Sequence, residues 1–308
     1  MRARHSRPDP LLPCAFALSL CLLLSSLSAA QPGAGVSASS DWKAVESAMG
    51  RPGQAQPGDV MKFAMPRKDL HVTLEGVVIK PGLALGSWAA FKQMSGGDMV
   101  MGDIVLTEEE VQPVMSKLQE GGIQEAAIHN HLIGESPRVL YMHIASHGDA
   151  AQMAKAIHDA LALTKTPPPD STPAPSADLG FDQKQLEQVL GHTGKTNGGI
   201  LQVSVPRAES IRDSGMTVPP AMGVATALNF QPTGSGKAAI TGDFVLLASE
   251  VDPVLRVLRE NGIAVTALHS HMLTEEPRLF FMHFWANDDV MKLAKGLRAA
   301  LDKTNSSK

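Results

Sequence analysis

Cysteine is nearly absent from this chain, which contains only two in 308 residues. Both of them, Cys14 and Cys21, lie in an apolar N-terminal stretch, so the sequence that follows contains no thiol. That part of the chain therefore cannot form a disulfide, use a thiolate nucleophile or bind a metal through cysteine. Aromatic residues are also few, at 4% of the chain, so aliphatic side chains and methionine must fill the core.

The sequence also lacks long apolar runs and an excess of basic residues. After the N-terminal stretch no run approaches 18 apolar residues, the length typical of a membrane-spanning helix. The formal net charge is −4 and no basic stripe is present, so we expect no nucleic-acid partner. Phosphate-binding loops, dinucleotide fingerprints and a recognisable Ser-His-Asp arrangement are missing as well.

Residues 1–30 have the pattern of a secretory signal peptide. Three arginines precede an apolar run from Leu11 to Leu24, and small residues at 28–30 suit a signal peptidase. Removal of these residues would take away three basic residues and one acidic residue, which makes the net charge −6. A leucine directly before Cys21 argues against lipid attachment there. The sequence thus predicts a periplasmic or secreted protein without a transmembrane segment in its mature form.

The rest of the chain contains an internal duplication. Residues 102–161 align with residues 242–301 at a constant offset of 140 and without gaps. We predict one repeat domain at 41–164, a proline-rich linker at 165–177 and a second repeat domain at 178–303. Two copies of one unit are expected to pack against each other.

Hydrophobic periodicity and capping signals predict the elements of each repeat. For the first repeat they are a helix at 41–49, strands at 71–79, 83–92 and 99–106, a helix capped by Thr107, strands at 123–132 and 138–145, and a helix at 149–163. The second repeat shows the same order. This is an α+β pattern, with a mostly antiparallel sheet covered by helices in each of two tandem copies related by a pseudo-twofold axis.

Both repeats contain the cluster H-x-H-x-x-x-E-x-P-R-x-x-x-M-H, which holds six of the ten histidines that follow the signal. In a hairpin with its turn near Ser136, His131 would face Tyr141 and His129 would face His143. Because side chains alternate along a strand, these rings share one face, whereas Ile128, Leu132, Leu140, Met142 and Ile144 share the other. The second repeat places His269, His271, Phe281 and His283 in the same way.

Three imidazoles on one face are within reach of a single ion, so His129, His131 and His143 are candidate metal ligands, as are His269, His271 and His283. Glu135 and Glu275 would supply a fourth ligand or a general base. A three-histidine, one-carboxylate set suits a divalent transition metal, which could be Zn, Fe, Mn, Ni or Cu. The alternatives are hydrogen-bonded structural histidines and metal-free acid–base use.

Other polar residues near the cluster have two interpretations. Arg138 and Arg278 follow prolines and could bind a carboxylate or phosphate group, or could pair with the nearby glutamates and rigidify the turn. Asp103 and Asp243 follow glycine within a strand, which favours a bulge or another structural role over a role as additional ligands.

Several longer motifs resemble one known family. These are ALGSW at 84–88, MVMGDIVL at 99–106, AIHNHLIGESPRVLYMHIASHGDA at 127–150 and ALHSHMLTEEPRLFFMHFWANDD at 267–289. They are similar to the LppY/LpqO family of exported bacterial proteins, some of which are lipoproteins. The resemblance implies export and a duplicated domain of unknown function, with no established activity to carry over.

Two functional hypotheses follow from the sequence. The first is an exported metal-binding protein with duplicated sites, which could act as a metal-dependent hydrolase or oxidase of a small molecule. The second is a non-catalytic envelope binding module that recognises an anionic ligand or a partner protein.

Export yields the first testable prediction. When the full chain is expressed in a bacterium with a general secretion pathway, we expect the periplasmic or secreted protein to begin at Gln31. N-terminal sequencing together with intact mass checks the cleavage site. A protein that keeps Met1 and stays in the cytoplasmic fraction would contradict the signal-peptide interpretation.

Overall fold

A computed structural model describes residues 42–94, 97–169 and 178–307. The predicted signal peptide and most of the predicted linker lie outside the described residues. The elements of the first repeat are α1 (Lys43–Met49), β1 (Gln54–Gln56), β2 (Val60–Pro66), β3 (Thr73–Leu74), β4 (Val77–Val78), α2 (Pro81–Ala84), β5 (Gly86–Lys92), β6 (Asp98–Thr107), α3 (Glu108–Glu120), β7 (Glu125–His129), β8 (Val139–Gly148) and α4 (Ala150–Leu161).

The second repeat follows the same order with small differences. Its elements are α5 (Gln183–Leu190), β9 (Gly194–Asn197), β10 (Ile200–Pro206), β11 (Arg212–Asp213), β12 (Met216–Thr217), a 3-10 helix (Pro220–Met222), β13 (Ala225–Gly234), β14 (Lys237–Leu246), α6 (Ala248–Glu260), β15 (Ala264–His269), β16 (Glu275–Glu276), β17 (Phe280–Asp289) and α7 (Val290–Leu301). No helix in the described ranges is long and apolar enough to cross a membrane.

Each repeat forms a six-stranded sheet in which all neighbouring strands are antiparallel. The order is β1-β2-β5-β6-β8-β7 in the first repeat and β9-β10-β13-β14-β17-β15 in the second. The predicted α+β class with duplicated antiparallel sheets is therefore confirmed. In both sheets the strand that carries the H-x-H motif, β7 or β15, lies at an edge.

Local sequence signals explain where the helices begin. The backbone N–H of Thr107 donates to the carboxylate of Glu110 at 2.9 Å, as the capping-box pattern predicts. The side chain of Asp149 accepts from the backbone N–H of Gln152 at 2.8 Å and caps α4. The duplicated caps at α6 and α7 show that these boundaries belong to the repeat unit.

The elements before β6 differ from the prediction, since β1 and β2 were not predicted and residues 83–84 of the predicted strand 83–92 belong to α2. Residues 71–79 do not form a continuous strand but a short hairpin of β3 and β4. The turn between them contains Glu75 and Gly76, both with positive φ, at 50° and 80°. Two successive residues with positive φ are typical of a tight hairpin turn, so the chain reverses in the middle of the apolar segment.

The helices cover one face of each sheet. In the first repeat, α1, α3 and α4 contribute Val45, Val114 and Ile157 to a core that also contains Phe91 of β5 and Ile104 of β6. The second repeat has an equivalent core beneath its own helices. Burial of these aliphatic faces is the main source of stability within each unit.

The opposite faces of the two sheets pack against each other. One cluster joins Val105 and Tyr141 of the first repeat to Ile200 and Trp285 of the second. A second cluster joins Met101 of β6 to residues of the second repeat that include Phe281. The molecule is therefore layered as helix, sheet, sheet and helix, and the two repeats share an apolar interface.

Polar contacts also cross this interface. The side chain of Gln231 accepts from the backbone N–H of Lys80 at 2.9 Å and donates to the carbonyl of Val78 at 2.7 Å. The indole N–H of Trp285 donates to Glu75 at 2.9 Å. Because Gln231 and Trp285 are buried, their hydrogen bonds help to fix the position of one repeat on the other.

Each repeat also contains a buried arginine network that the sequence analysis did not identify. The guanidinium of Arg67 is fully buried and bonds to Asp69, Glu110 and the carbonyl of Val105. Arg207 makes the equivalent contacts in the second repeat. The network ties the segment after β2 to the end of β6 and to the start of α3.

Substitution Arg67→Ala should destabilise the protein strongly. It leaves the carboxylates of Asp69 and Glu110 without their buried cation, a change that typically costs about 3–5 kcal/mol. The measurement is the free energy of unfolding in urea. Arg138→Ala is the matched control, because the Arg138 side chain is 60% exposed, and it should change stability by no more than about 0.5 kcal/mol. Equal effects of the two substitutions would contradict this account.

Candidate functional site

The edge strands and their neighbours bring all six motif histidines into one cluster between the sheets. His129 is the last residue of β7 and pairs with Tyr141, whereas Ala127 pairs with His143. The predicted hairpin register, in which His129 faced His143, is therefore wrong by two residues. An error of two residues keeps the paired residues of β7 and β8 on their predicted faces. The rings consequently still share the face that lies between the repeats.

The register differs because the connection between β7 and β8 is long. Residues 130–138 lie between the two strands and contain a cis Ser136–Pro137 bond, with an equivalent Glu276–Pro277 bond in the second repeat. Leu132 consequently does not lie on the helix-covered face as predicted. It packs in the interface cluster with Tyr141. His131 also lies beyond the strand, where its ring stacks on Tyr141 at 3.5 Å between centroids.

The six imidazoles form two stacked triangles, one from each repeat. Within the first triangle the ring centroid of His129 lies 4.9 Å from that of His131 and 4.9 Å from that of His143. The centroids of His131 and His143 are 5.9 Å apart. The second triangle, of His269, His271 and His283, has sides of 4.9, 5.0 and 6.3 Å.

Each ring of one triangle stacks on a ring of the other. The centroid distances are 3.5 Å for His129 and His269, 3.7 Å for His131 and His283, and 3.8 Å for His143 and His271. The cluster is thus a composite of both repeats, with the pair His129 and His269 near the pseudo-twofold axis.

Two aspartates complete the cluster. Asp103 of β6 pairs with His143 of β8, and Asp243 of β14 pairs with His283 of β17. An oxygen of Asp103 lies 3.9 Å from Nε2 of His131, and one of Asp243 lies 3.5 Å from Nε2 of His271. The structural role favoured for these aspartates from the sequence does not account for this placement, because both carboxylates face the imidazoles.

The lack of space around positions 102 and 242 explains why glycine precedes each of these aspartates. The ladders of β6 and β14 run through Gly102 and Gly242 without a bulge, contrary to one expectation from the sequence. A Cβ on Gly102 would lie 2.7 Å from the carbonyl oxygen of Trp88, and one on Gly242 would clash with the carbonyl of Ala227. Glycine therefore permits close packing of adjacent strands behind the cluster.

Backbone carbonyls hold several of the rings in one orientation. Nδ1 of His283 lies 2.9 Å from the carbonyl of Gly242, and the carbonyl of Gly102 is the backbone partner of His143. Nδ1 of His129 and Nδ1 of His269 lie 3.3 Å from the carbonyls of Asn130 and Ser270. A proton on Nδ1 leaves the Nε2 lone pair free, which is the arrangement that metal-ligating histidines adopt.

The other ring nitrogens have no such partner. Nε2 of all six histidines is buried and makes no hydrogen bond, and the same is true of Oδ1 of Asp103 and Oδ1 of Asp243. Buried polar atoms are nearly always satisfied in folded proteins, since each unsatisfied one costs about 1–3 kcal/mol. Eight such atoms in one place therefore indicate a ligand that accepts lone pairs.

Burial perturbs the protonation of the cluster. Desolvation lowers the pKa of His129 to about 4 and that of His269 to about 3, and it lowers the pKa of the other four histidines well below the usual range. Desolvation also raises the pKa of Asp103 to about 8, and that of Asp243 well above its usual value. The imidazoles are therefore neutral at physiological pH, as metal binding requires.

Four overlapping groups could hold an ion, with ligand atoms within 4.8 Å of one another. Two of them contain four histidines, two from each repeat, and both include His129 and His269. The other two combine Asp103 with His131 and His143, and Asp243 with His271 and His283. The arrangement can bind a transition metal through nitrogen and carboxylate donors.

The predicted glutamates and arginines lie at the margin of the cluster. Glu135 and Glu275 are buried but belong to none of these groups. Glu275 instead accepts from the backbone N–H of Leu279 at 3.0 Å and from Arg278 at 3.2 Å. Arg138 lies 3.8 Å from Glu108 on the surface. A signal for the aspartates was present in the sequence, since both are duplicated at the offset of 140.

Comparison with known families gives a clear assignment. The model of a family described as Domain of Unknown Function (DUF1259) matches residues 43–163 and 184–303. The chain belongs to this family. The two matched segments correspond to the two structural repeats, so each repeat is one copy of the family domain, and the family description assigns no activity to it.

Other comparisons add little. No curated protein matches the chain. Two solved structures are similar over most of their length. One is a trimeric bacterial microcompartment shell protein PduB, with 12% identity, 82% of this chain and 89% of that chain covered, and a TM-score of 0.21. The other is EtuB from Clostridium kluyveri, with 9% identity, coverage of 81% and 88%, and a TM-score of 0.19.

The pKa shifts predict how the stability of the metal-free protein depends on pH. The folded-state pKa of each cluster histidine lies below the ordinary 6.5, so below that pH the unfolded chain binds more protons and stability falls. The raised pKa of Asp103 acts in the opposite direction, because its contribution is lost as pH rises from about 4 through about 8. Below pH 6.5 the extra protons that the unfolded chain binds on six histidines outnumber those that the folded protein binds on two carboxyls, so stability falls as the pH is lowered. Between pH 6.5 and 8 only the carboxyls bind protons differently in the two states, so stability falls as the pH is raised.

We therefore expect the stability of chelator-treated protein to be greatest near pH 6.5 and to fall on both sides. Thermal unfolding between pH 4.5 and 8 measures the curve. Asp103→Asn should flatten the decline above pH 6.5 and leave the acid limb in place. A stability that keeps rising as the pH falls from 6.5 to 5 would contradict the burial of neutral imidazoles.

Proposed function

We propose that the protein binds a transition metal at the histidine and aspartate cluster between its two repeats. The observation that carries the proposal is the set of six buried imidazole Nε2 atoms without hydrogen-bond partners, all in one place. Structural histidines would bond to each other or to the backbone through both nitrogens, and these rings use at most one.

The donor set narrows the class of metal. Imidazole nitrogen with a small number of carboxylate oxygens suits Zn, Fe, Mn, Ni or Cu, and it does not suit Ca²⁺, which prefers oxygen donors alone. The metal would supply Lewis-acid or redox chemistry, consistent with the expected hydrolase or oxidase. His129 and His269 are partly exposed, so a small molecule would approach the cluster from their side.

The alternative function, a module for anionic ligands, has less support. It relied on the guanidinium groups of Arg138 and Arg278, which were expected to lie beside the histidines and to be free to bind an anion. Arg278 is engaged by the carboxylate of Glu275 and by two backbone carbonyls, and Arg138 lies on the surface near Glu108. With both guanidiniums near carboxylates, little net positive charge remains to attract an anion.

Location and family name complete the proposal. The signal-peptide pattern supports function in the periplasm or outside the cell. In that oxidising environment a metal centre built from histidine and aspartate contains no thiol ligand that could be oxidised. The resemblance to the LppY/LpqO family agrees with an exported, duplicated protein.

Metal analysis is the direct test. Protein purified without chelator and supplied with Zn²⁺, Fe²⁺, Mn²⁺, Ni²⁺ or Cu²⁺ should retain at least one of these ions after gel filtration. The double variant His129→Ala/His269→Ala should lower the retained metal by at least about tenfold, because it removes the two ligands shared by both four-histidine groups. Mass spectrometry of the metals, with inductively coupled plasma, gives the content per chain.

His71→Ala is the matched control, since His71 is exposed and outside the cluster, and it should retain the wild-type metal content. Wild-type protein that retains no metal would overturn the proposal. Stabilisation by inorganic phosphate in metal-free protein, together with the absence of bound metal, would favour the anion-binding alternative.

A further inference from the structure

The number of unsatisfied donor atoms in the cluster exceeds what one ion can use. Six Nε2 atoms and two carboxylate oxygens are buried without partners. A single ion in either four-histidine group would leave two imidazoles and both aspartates unsatisfied. Each atom left in this state destabilises the folded protein, and the carboxylates do so more strongly if they are ionised.

Two ions with four ligands each would use all eight donors. We propose that the cluster is a dinuclear centre, with one ion per repeat, and that each ion is bound by three histidines and one aspartate. The ligands of the first ion are His129, His131, His143 and Asp103, and those of the second are His269, His271, His283 and Asp243. This inference rests on the proposed function and adds the number of ions, their ligands and their proximity.

The stacking of the triangles sets the distance between the ions. Each repeat supplies a triangle of imidazoles, and equivalent rings of the two triangles lie 3.5–3.8 Å apart. Ions held within the two layers would therefore be separated by a similar distance. Two-metal centres in enzymes typically have ions about 3.5–4 Å apart, so the geometry fits a coupled pair.

The aspartates fit the division by repeat. Asp103 groups with His131 and His143 of its own repeat, and Asp243 groups with His271 and His283 of its own. The ring centroid of His129 lies 4.9 Å from those of both His131 and His143, and that of His269 lies 4.9 and 5.0 Å from those of His271 and His283, so the third histidine of each triangle completes the set. Three neutral imidazoles and one carboxylate form a four-coordinate set of the kind that divalent transition metals accept.

Charge balance favours two ions over one. The described residues around the cluster provide one nearby cation, Lys62, which interacts electrostatically with Asp103. The equivalent position of the second repeat is Gln202, so Asp243 has no such partner. Two divalent ions would give each buried carboxylate its own positive partner, whereas one ion in the first repeat would leave Asp243 uncompensated.

The experiment is a metal titration of the full mature chain. Chelator-treated protein is loaded with excess Cu²⁺, passed through gel filtration and analysed for copper. We expect two ions per chain in the wild type and in His71→Ala. His143→Ala removes a ligand of the first ion only, and His283→Ala removes a ligand of the second only. Each is expected to retain about one ion.

Electron paramagnetic resonance tests the proximity without any variant. At full loading two Cu²⁺ ions at the proposed separation should couple, so the integrated signal should be far below the copper content. At low loading the signal should approach one spin per copper if the ions enter different molecules. Two ions per chain with uncoupled signals would overturn the dinuclear arrangement.

The two proposals fail differently. One ion per chain at saturation, lost in His129→Ala/His269→Ala, would overturn the dinuclear centre and leave the metal-binding function intact. No ion under any loading condition would overturn both. If His143→Ala or His283→Ala does not fold, the copper content and the resonance signal of the wild type still decide the question.

Discussion

Burial of imidazole rings between two sheets is the constraint that organises this molecule. A sheet face covered by another sheet is a dry environment, where aliphatic side chains would serve stability best. Both repeats instead place three histidines and an aspartate on that face, with backbone carbonyls orienting several of the rings. Two apolar clusters in the same interface hold the two halves together.

Duplication gives the cluster properties that one repeat lacks. A single unit provides three imidazoles on one face of its sheet, at and beside the edge strand. The second unit covers them with its own triangle, so that every ring stacks on a ring of the other repeat. Outer rings are covered again by Tyr141 and Phe281, at 3.5 Å from His131 and His271. The interface between the repeats and the candidate site are therefore one feature.

The two halves are similar but not equivalent. Lys62 in the first repeat corresponds to Gln202 in the second, and Tyr141 corresponds to Phe281. Lys62 and Gln202 both reach a carbonyl of the short helix of the other repeat, at 3.5 and 3.0 Å, so they share a packing role. Only lysine adds a charge near Asp103, and desolvation lowers the pKa of this amine to about 8. The first half of the centre is thus the more positive one.

The sequence alone determined the duplication, the order of helices and strands from β6 to α4 of each repeat, the helix caps and the face on which the histidines lie. These features depend on local periodicity and on side-chain alternation, which the chain carries residue by residue. The hairpin register could not be predicted correctly, because a connection of nine residues, 130–138, replaced the short turn. The break of residues 71–79 was also missed, because it depends on a turn at Glu75 and Gly76.

Only the tertiary structure decided what the histidines contact. The sequence favoured three imidazoles and a glutamate as a metal site in each repeat, and burial of the histidines between the two units was its structural alternative; that the rings of both repeats stack in one cluster follows from the packing of the sheets. It also favoured a structural role for Asp103 and Asp243, whose proximity to the cluster arises from cross-strand pairs with His143 and His283. Contacts between residues far apart in the chain depend on how whole sheets pack, and no local pattern encodes that packing.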